Sequence, residues 1–263
     1  MKHIEFLGIP GAGKSTFVRP TVEYLQQDRR PACTLETAFR EVIRQEIATP
    51  IPEYLLQYFP TSYVKKYRMI VYRIKGRDSE HYQLFFTQYP ELGSIIPKYI
   101  AKKTDRVSDR RVYSNWFYNL IIRYYASEKL SGRRIVIDEG FVNRTITLFC
   151  GHEHPAENVP DLERYLGSIP TPDLVIIPQV PIEVSASRIR DGDRSFPYNV
   201  SETDHQEQLE YLKERQAHVD TVLGILDKQG VNTILVDNSG DKTEAKEELR
   251  TKLESPNLKE GHE

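Results

Sequence analysis

Cysteine is scarce in this chain: Cys33 and Cys150 are the only two among 263 residues, whereas a secreted fold of this size held by disulfides would show a larger even set. A reducing cytoplasm is therefore the expected location. No run of about 18 apolar residues occurs, which excludes a spanning helix, and no association with a membrane is expected. The opening Met1-Lys-His-Ile-Glu-Phe-Leu-Gly lacks an apolar stretch followed by a small-residue cleavage site, so export by a signal peptide is not expected. Charge of one sign is missing too. With 36 Lys+Arg against 38 Asp+Glu the net charge is −2, which predicts neither wholesale nucleic-acid binding nor an acidic tail protein. Repeats and low-complexity tracts are absent. Function has to be read from local sites.

What is present is material for a core. Apolar residues make up 39% and charged residues 28%, and at about 150 residues per domain the length fits one enlarged domain or two small ones. Residues 3–7, His-Ile-Glu-Phe-Leu, form a short apolar-rich run that a Gly/Pro cluster ends, and residues 14–28 then place Phe17, Val18, Val22 and Leu25 at helical spacing. Further strand-like runs cover 32–36, 134–138, 173–177 and 231–236, separated by helical stretches. Their apolarity is continuous rather than alternating, so strands covered on both faces are expected: an α/β fold with a five-stranded parallel doubly wound sheet. Almost a hundred residues separate the second and third runs, and stretches near 61–75, 78–88, 90–103 and 107–130 have helical composition. A helical insertion at about 50–130 is expected within a single domain over 1–255, followed by a flexible tail at 256–263.

Seventeen of the 27 aromatic residues fall between 54 and 125, among them Tyr54, Tyr58, Tyr63, Tyr72, Trp116 and Tyr124. Filling of a helical core is the expectation for most of them, with two or three left to clamp a planar substrate. From 61 to 111, twelve Lys/Arg stand against five acids; a solvated helix face or an anionic partner, nucleic acid included, would explain that excess. His152-Glu-His154 has a metal-ligand spacing without a placed third ligand and reads as a polar loop.

Residues 8–15, Gly-Ile-Pro-Gly-Ala-Gly-Lys-Ser, satisfy G-x-x-x-x-G-K-[ST] after an apolar strand and before a helix. Such a phosphate loop turns backbone N–H groups toward a nucleotide's phosphates, with the helix N-terminus adding a favourable dipole. Gly8, Gly11, Ala12, Gly13, Lys14, Ser15 and Thr16 are the candidate nucleotide-binding residues. Lys14 is expected on the β/γ-phosphates and Ser15 on Mg²⁺, making ATP and Mg²⁺ the expected cofactors. The run Arg134-Ile-Val-Ile-Asp138-Glu139-Gly140 delivers two carboxylates to the edge where open parallel sheets bind ligands. Asp138 is the candidate metal holder, and Glu139 a metal ligand or an orienter of water or substrate.

Together these residues resemble the nucleoside and nucleoside-monophosphate kinase group of P-loop proteins, in particular its thymidylate kinase-like and deoxynucleoside kinase-like members. The loop Gly-Ile-Pro-Gly-Ala-Gly-Lys-Ser-Thr, the long insertion before the Asp-Glu strand, and the stretch from Pro172 to Arg194 with Arg188, Arg190 and Arg194 carry the likeness. The resemblance implies a P-loop NTPase fold, ATP-dependent transfer to a small-molecule phosphate acceptor, and an arginine lid at about 188–204. Guanidinium groups there would stabilise charge on the transferring phosphoryl group and exclude water. It also implies that a carboxylate ending the second strand takes the acceptor's proton, a place Glu36 occupies. Two departures stop the reading at the superfamily. No arginine directly follows the third-strand acids, Arg144 coming four residues after Gly140, and no Glu-Pro-Gly-Gly run follows the second strand. A polynucleotide or polyanion kinase and a non-catalytic nucleotide-binding regulator stand as alternatives, and a homodimer is left open. A GTPase switch is disfavoured because Ile176-Ile-Pro-Gln179 stands where a guanine-reading Asn-Lys-x-Asp would follow the fourth strand.

Overall fold

A computed structural model describes residues 3–46, 60–130, 132–151, 155–192, 196–197, 200–201 and 203–254. Tyr54, Tyr58, the His152–His154 loop, Arg194 and the tail from 255 onward lie outside the described residues. The strands are β1 (His3–Phe6), β2 (Ala32–Thr34), β3 (Arg134–Ile137), β4 (Leu174–Gln179) and β5 (Thr233–Asp237). They form one sheet in the order β2-β3-β1-β4-β5, every neighbouring pair parallel. Helix α1 (Lys14–Gln27) follows β1, and α2 (Leu35–Glu46) follows β2. The insertion contributes α3 (Thr61–Ile74), α4 (Arg77–Gln88), α5 (Leu92–Lys103) and α6 (Val107–Ser127). Beyond β3 come α7 (Phe141–Phe149), α8 (Val159–Ser168), α9 (Ile182–Arg190), α10 (His205–Lys228) and α11 (Lys242–Glu254). This is the doubly wound parallel sheet that the continuous apolar runs require.

The two faces of the sheet make two cores. Ile4, Phe6, Val136 and Ile176 pack against Phe17 and Leu25 of α1 and Leu249 of α11. Leu7, Ile135, Ile137 and Val175 face the other way, into a larger cluster containing Phe39 of α2, Val142 of α7 and Leu212 of α10. The insertion's aromatics belong to this second cluster: Tyr72, Phe85, Tyr99, Phe117 and Tyr124 are all buried in it. Space filling, not substrate clamping, is what those five do. Phe141, the first residue of α7, is stacked on Phe85 with centroids 5.5 Å apart and meets Tyr124 edge-on at 5.3 Å, so insertion helices buttress the turn after β3.

One boundary difference bears on the site. Glu36 does not end the second strand; β2 stops at Thr34 and Glu36 lies in the first turn of α2. The reason is local. Thr34 Oγ1 accepts from the Thr37 N–H at 3.2 Å, Leu35, Ala38, Phe39, Val42 and Ile43 recur at helical spacing, and a carboxylate in a first turn is favoured by the helix dipole.

Helix α10 holds a testable group where it packs on α7. His218 stacks on Phe149 with centroids 6.5 Å apart, and burial, helped by the Lys103 and Arg215 charges, holds its imidazole down at about 4 from an ordinary 6.5. The unfolded chain takes up this proton near pH 6.5 and the folded chain only near 4, so stability is lost as pH falls through that window, by about 3 kcal/mol from this group. His218→Phe should remove that share of the acid sensitivity. Urea unfolding of both proteins at pH 7 and pH 4.5 checks it, and an equal loss in the two would contradict it.

Candidate active site

The phosphate loop joins β1 to α1 at the C-terminal edge of the sheet. Gly11 (φ 80°) and Gly13 (φ 91°) adopt left-handed backbone that side chains disfavour. Space is short as well: a Cβ on Gly13 would come 2.4 Å from Asn238 Nδ2. Gly13 caps α1 without a side chain, and the first turn of α1 carries no acidic residue. The positive end of the helix is thus available to an anion. Lys14 is buried, 7% exposed, and its Nζ donates to Gly8 O at 2.6 Å and Ile9 O at 3.2 Å, which folds the ammonium across the loop.

Ser15 Oγ donates to Asp138 Oδ2 at 2.8 Å. Residues 123 positions apart, singled out on separate motifs, therefore meet. Glu139, next in the chain, turns elsewhere: its Oε2 pairs with Arg144 Nη2 at 3.0 Å. Arg144 in turn lies over the ring of Trp116, 5.1 Å from its centroid, and Trp116 is 41% exposed with Tyr113 edge-on at 5.3 Å. Glu36 stands in the first turn of α2, just after β2, with Oε1 accepting from Arg40 Nε at 2.8 Å and Oε2 3.0 Å from Arg123 Nη1. Each of these two carboxylates is thus oriented by guanidinium groups at a partly exposed position.

The lid candidates separate. Arg188 donates through Nη2 to Asn238 O at 2.8 Å and, with Gly13, Thr16, Asp191, Asn238 and Lys242, lines a cleft of about 320 Å³ beside the phosphate loop. Arg190 turns toward α10, where Nη1 donates to His205 Nδ1 at 2.6 Å and Gln208 Oε1 at 3.2 Å. Arg194 lies outside the described residues. Helix α9 also holds the loop directly, Ser185 Oγ donating to Pro10 O.

Three residues that sequence reasoning did not single out complete the arrangement. Asn143 Oδ1 accepts from the Gly8 N–H at 3.4 Å. Asn238 Nδ2 donates to Ala12 O at 2.7 Å, and its own N–H donates to Gln179 O at 2.8 Å. Arg123 reaches Glu36 from the insertion. Only Asn238 carried a readable signal, as a polar residue directly after the fifth strand at the ligand edge.

Among the described residues no group of three or more His, Cys, Asp or Glu could hold a metal ion. A hydroxyl and a carboxylate in contact are instead the hard oxygen pair that Mg²⁺ takes when phosphate oxygens and water supply its other ligands, so Ser15 and Asp138 fit that ion. No protein-family model matches the chain, and no curated protein matches it. Among solved structures it is similar to a deoxyadenosine kinase from M. mycoides with products dCMP and a flexible dCDP bound, at 15% identity over 95% of this chain and 98% of that chain, TM-score 0.45. It is similar also to a deoxyadenosine kinase from M. mycoides with bound dCTP, at 14% identity over 95% and 98%, TM-score 0.43. No helix among the described residues is long and apolar enough to cross a membrane.

Proposed function

We propose that this chain is a Mg²⁺-dependent phosphotransferase that moves the γ-phosphoryl group of ATP to a small acceptor, a nucleoside, nucleotide or related metabolite. The observation that carries the reading is the 2.8 Å contact of Ser15 with Asp138 beside a phosphate loop whose lysine is buried in it. In this reading the loop N–H groups and Lys14 hold the phosphates, and Lys14 stays on the transferring group as charge develops. Mg²⁺, held through Ser15 and Asp138, supplies neutralisation of the phosphate oxygens when bound. Glu36 accepts the proton of the acceptor hydroxyl, with Arg40 and Arg123 orienting its carboxylate. Trp116, capped on one side by Arg144, offers an exposed ring to a planar acceptor group. Arg188 closes the nucleotide side of the cleft, and Arg194 remains a lid candidate from its place in the sequence.

Several cations of the basic insertion are engaged within the fold. Arg77 pairs with Glu80, Lys98 with Asp161 and Arg110 with Asp105, while Lys103 donates to Cys150 O, burial lowering its pKa from the ordinary lysine value.

Asp138→Asn tests the metal half of the reading. It keeps the hydrogen-bonding shape and removes the charge, so ATP turnover is expected to need about 10–100-fold more Mg²⁺, with little change in metal-free nucleotide binding. A magnesium titration of the rate at saturating ATP measures this. An unshifted midpoint would remove Asp138 from the metal site.

A further inference from the structure

Glu5 lies within β1 between Ile4 and Phe6 of the core, and it is fully buried. It is in register with Ile137, the last residue of β3, so its carboxylate lies beside the turn Asp138-Glu139-Gly140. Oε1 accepts from the Phe141 N–H at 3.1 Å and Oε2 from the Val142 N–H at 2.7 Å. These are the first two donors of α7, a helix whose own cap, Gly140, supplies no side chain. A carboxylate at a helix N-terminus taking two N–H groups is a strong, geometrically defined cap. His3 Nε2 lies 3.3 Å from Oε1 on the far side.

Gly140 confirms how closely the carboxylate is fitted. Its backbone (φ −82°, ψ −166°) is extended and open to any residue. A Cβ there would nevertheless sit 2.2 Å from Glu5 Cδ. Glycine is needed for space, because Glu5 occupies the side chain's place. The first turn of α7 also carries Asn143, which holds Gly8 of the phosphate loop. One helix end therefore ties together the loop that holds phosphate and the turn that carries Asp138.

We propose that Glu5 is a positioning residue for this site: from beneath the sheet edge it fixes the Asp138–Gly140 turn, and so sets how tightly Asp138 takes Mg²⁺, without touching metal or nucleotide. The proposal rests on the phosphotransferase reading above. A buried capping group with no role beyond stability would lower the melting temperature and nothing else, which separates the two cases.

The test uses full-length protein, a fluorescent ATP analogue and a Mg²⁺ titration with no acceptor present, alongside thermal unfolding. Glu5→Gln keeps size but replaces one acceptor oxygen with an NH₂ that faces an N–H donor. It is expected to raise the half-saturating Mg²⁺ about tenfold while metal-free nucleotide affinity stays unchanged. Glu5→Asp, which retains charge on a shorter stem, is expected to fall between wild type and Glu5→Gln, and serves if the glutamine variant does not fold. Added to Asp138→Asn, Glu5→Gln should shift the midpoint no further, since both act on one ligand. A lowered melting temperature with an unshifted Mg²⁺ midpoint in both Glu5 variants, while Asp138→Asn does shift it, would overturn the positioning role and leave the phosphotransferase reading standing. If Asp138→Asn is also without effect, the metal assignment itself falls and the Glu5 proposal with it.

Discussion

Lys14→Ala is expected to lower phosphoryl transfer by about 10²–10³-fold, the cost typical of removing one donor aimed at charge that develops in a transition state. The fold should survive. Lys14 is buried, and its ammonium donates to two loop carbonyls, Gly8 O and Ile9 O, so its removal acts first on the phosphate loop. Ground-state nucleotide affinity should fall by less than the rate does, because Lys14 acts most strongly on charge present during transfer. Steady-state rates at saturating ATP, with far-UV circular dichroism as a folding control, measure the effect. Turnover within a factor of about three of wild type, in a folded variant, would be incompatible with Lys14 at the transferring phosphate.

Glu36→Gln is the second large effect, about 10²–10⁴-fold in turnover if the carboxylate takes the acceptor's proton. The amide cannot accept that proton, yet it can still accept from Arg40 Nε, which now bonds Glu36 Oε1 at 2.8 Å, so α2 should keep its position. ATP binding should stay near wild type, because Glu36 lies on α2 and not in the phosphate loop. That split between rate and affinity is the informative part. A variant that loses ATP affinity and rate in equal measure would place Glu36 on the nucleotide side. Normal turnover would leave its two arginine contacts as a surface ion pair, worth little when both partners are this exposed.

Much of the scaffold was legible because its signals are local. The phosphate loop and its helix follow from fixed spacing, and the parallel sheet from apolar runs too continuous for one solvated face, as in Leu174-Val-Ile-Ile of β4, all four buried. Helix α2 was harder to see. Its first turn follows β2 without a loop, so a strand of three residues and a helix start blur into one apolar run ending at Glu36. The site's supporting contacts were out of reach for a different reason. Asn143 to Gly8 and Glu5 to α7 span more than 130 residues, and strand register, not any spacing in the chain, brings them together. The insertion's cations show the same limit, since Lys98 meets Asp161 only once α5 packs on α8. The separation of Arg188 from Arg190 likewise depends on which way α9 faces, with the two residues only two positions apart.

Transfer itself tests the phosphotransferase activity most directly. Wild-type protein is incubated with γ-labelled ATP, Mg²⁺ and a pooled panel of nucleosides, nucleoside monophosphates, sugars and oligonucleotides, and the label is followed by chromatography. Label is expected on a small hydroxyl-bearing acceptor, in an amount that depends on Mg²⁺ and is largely lost in Lys14→Ala. Label retained in ATP despite tight nucleotide binding, or released only as inorganic phosphate whatever acceptor is present, would contradict it.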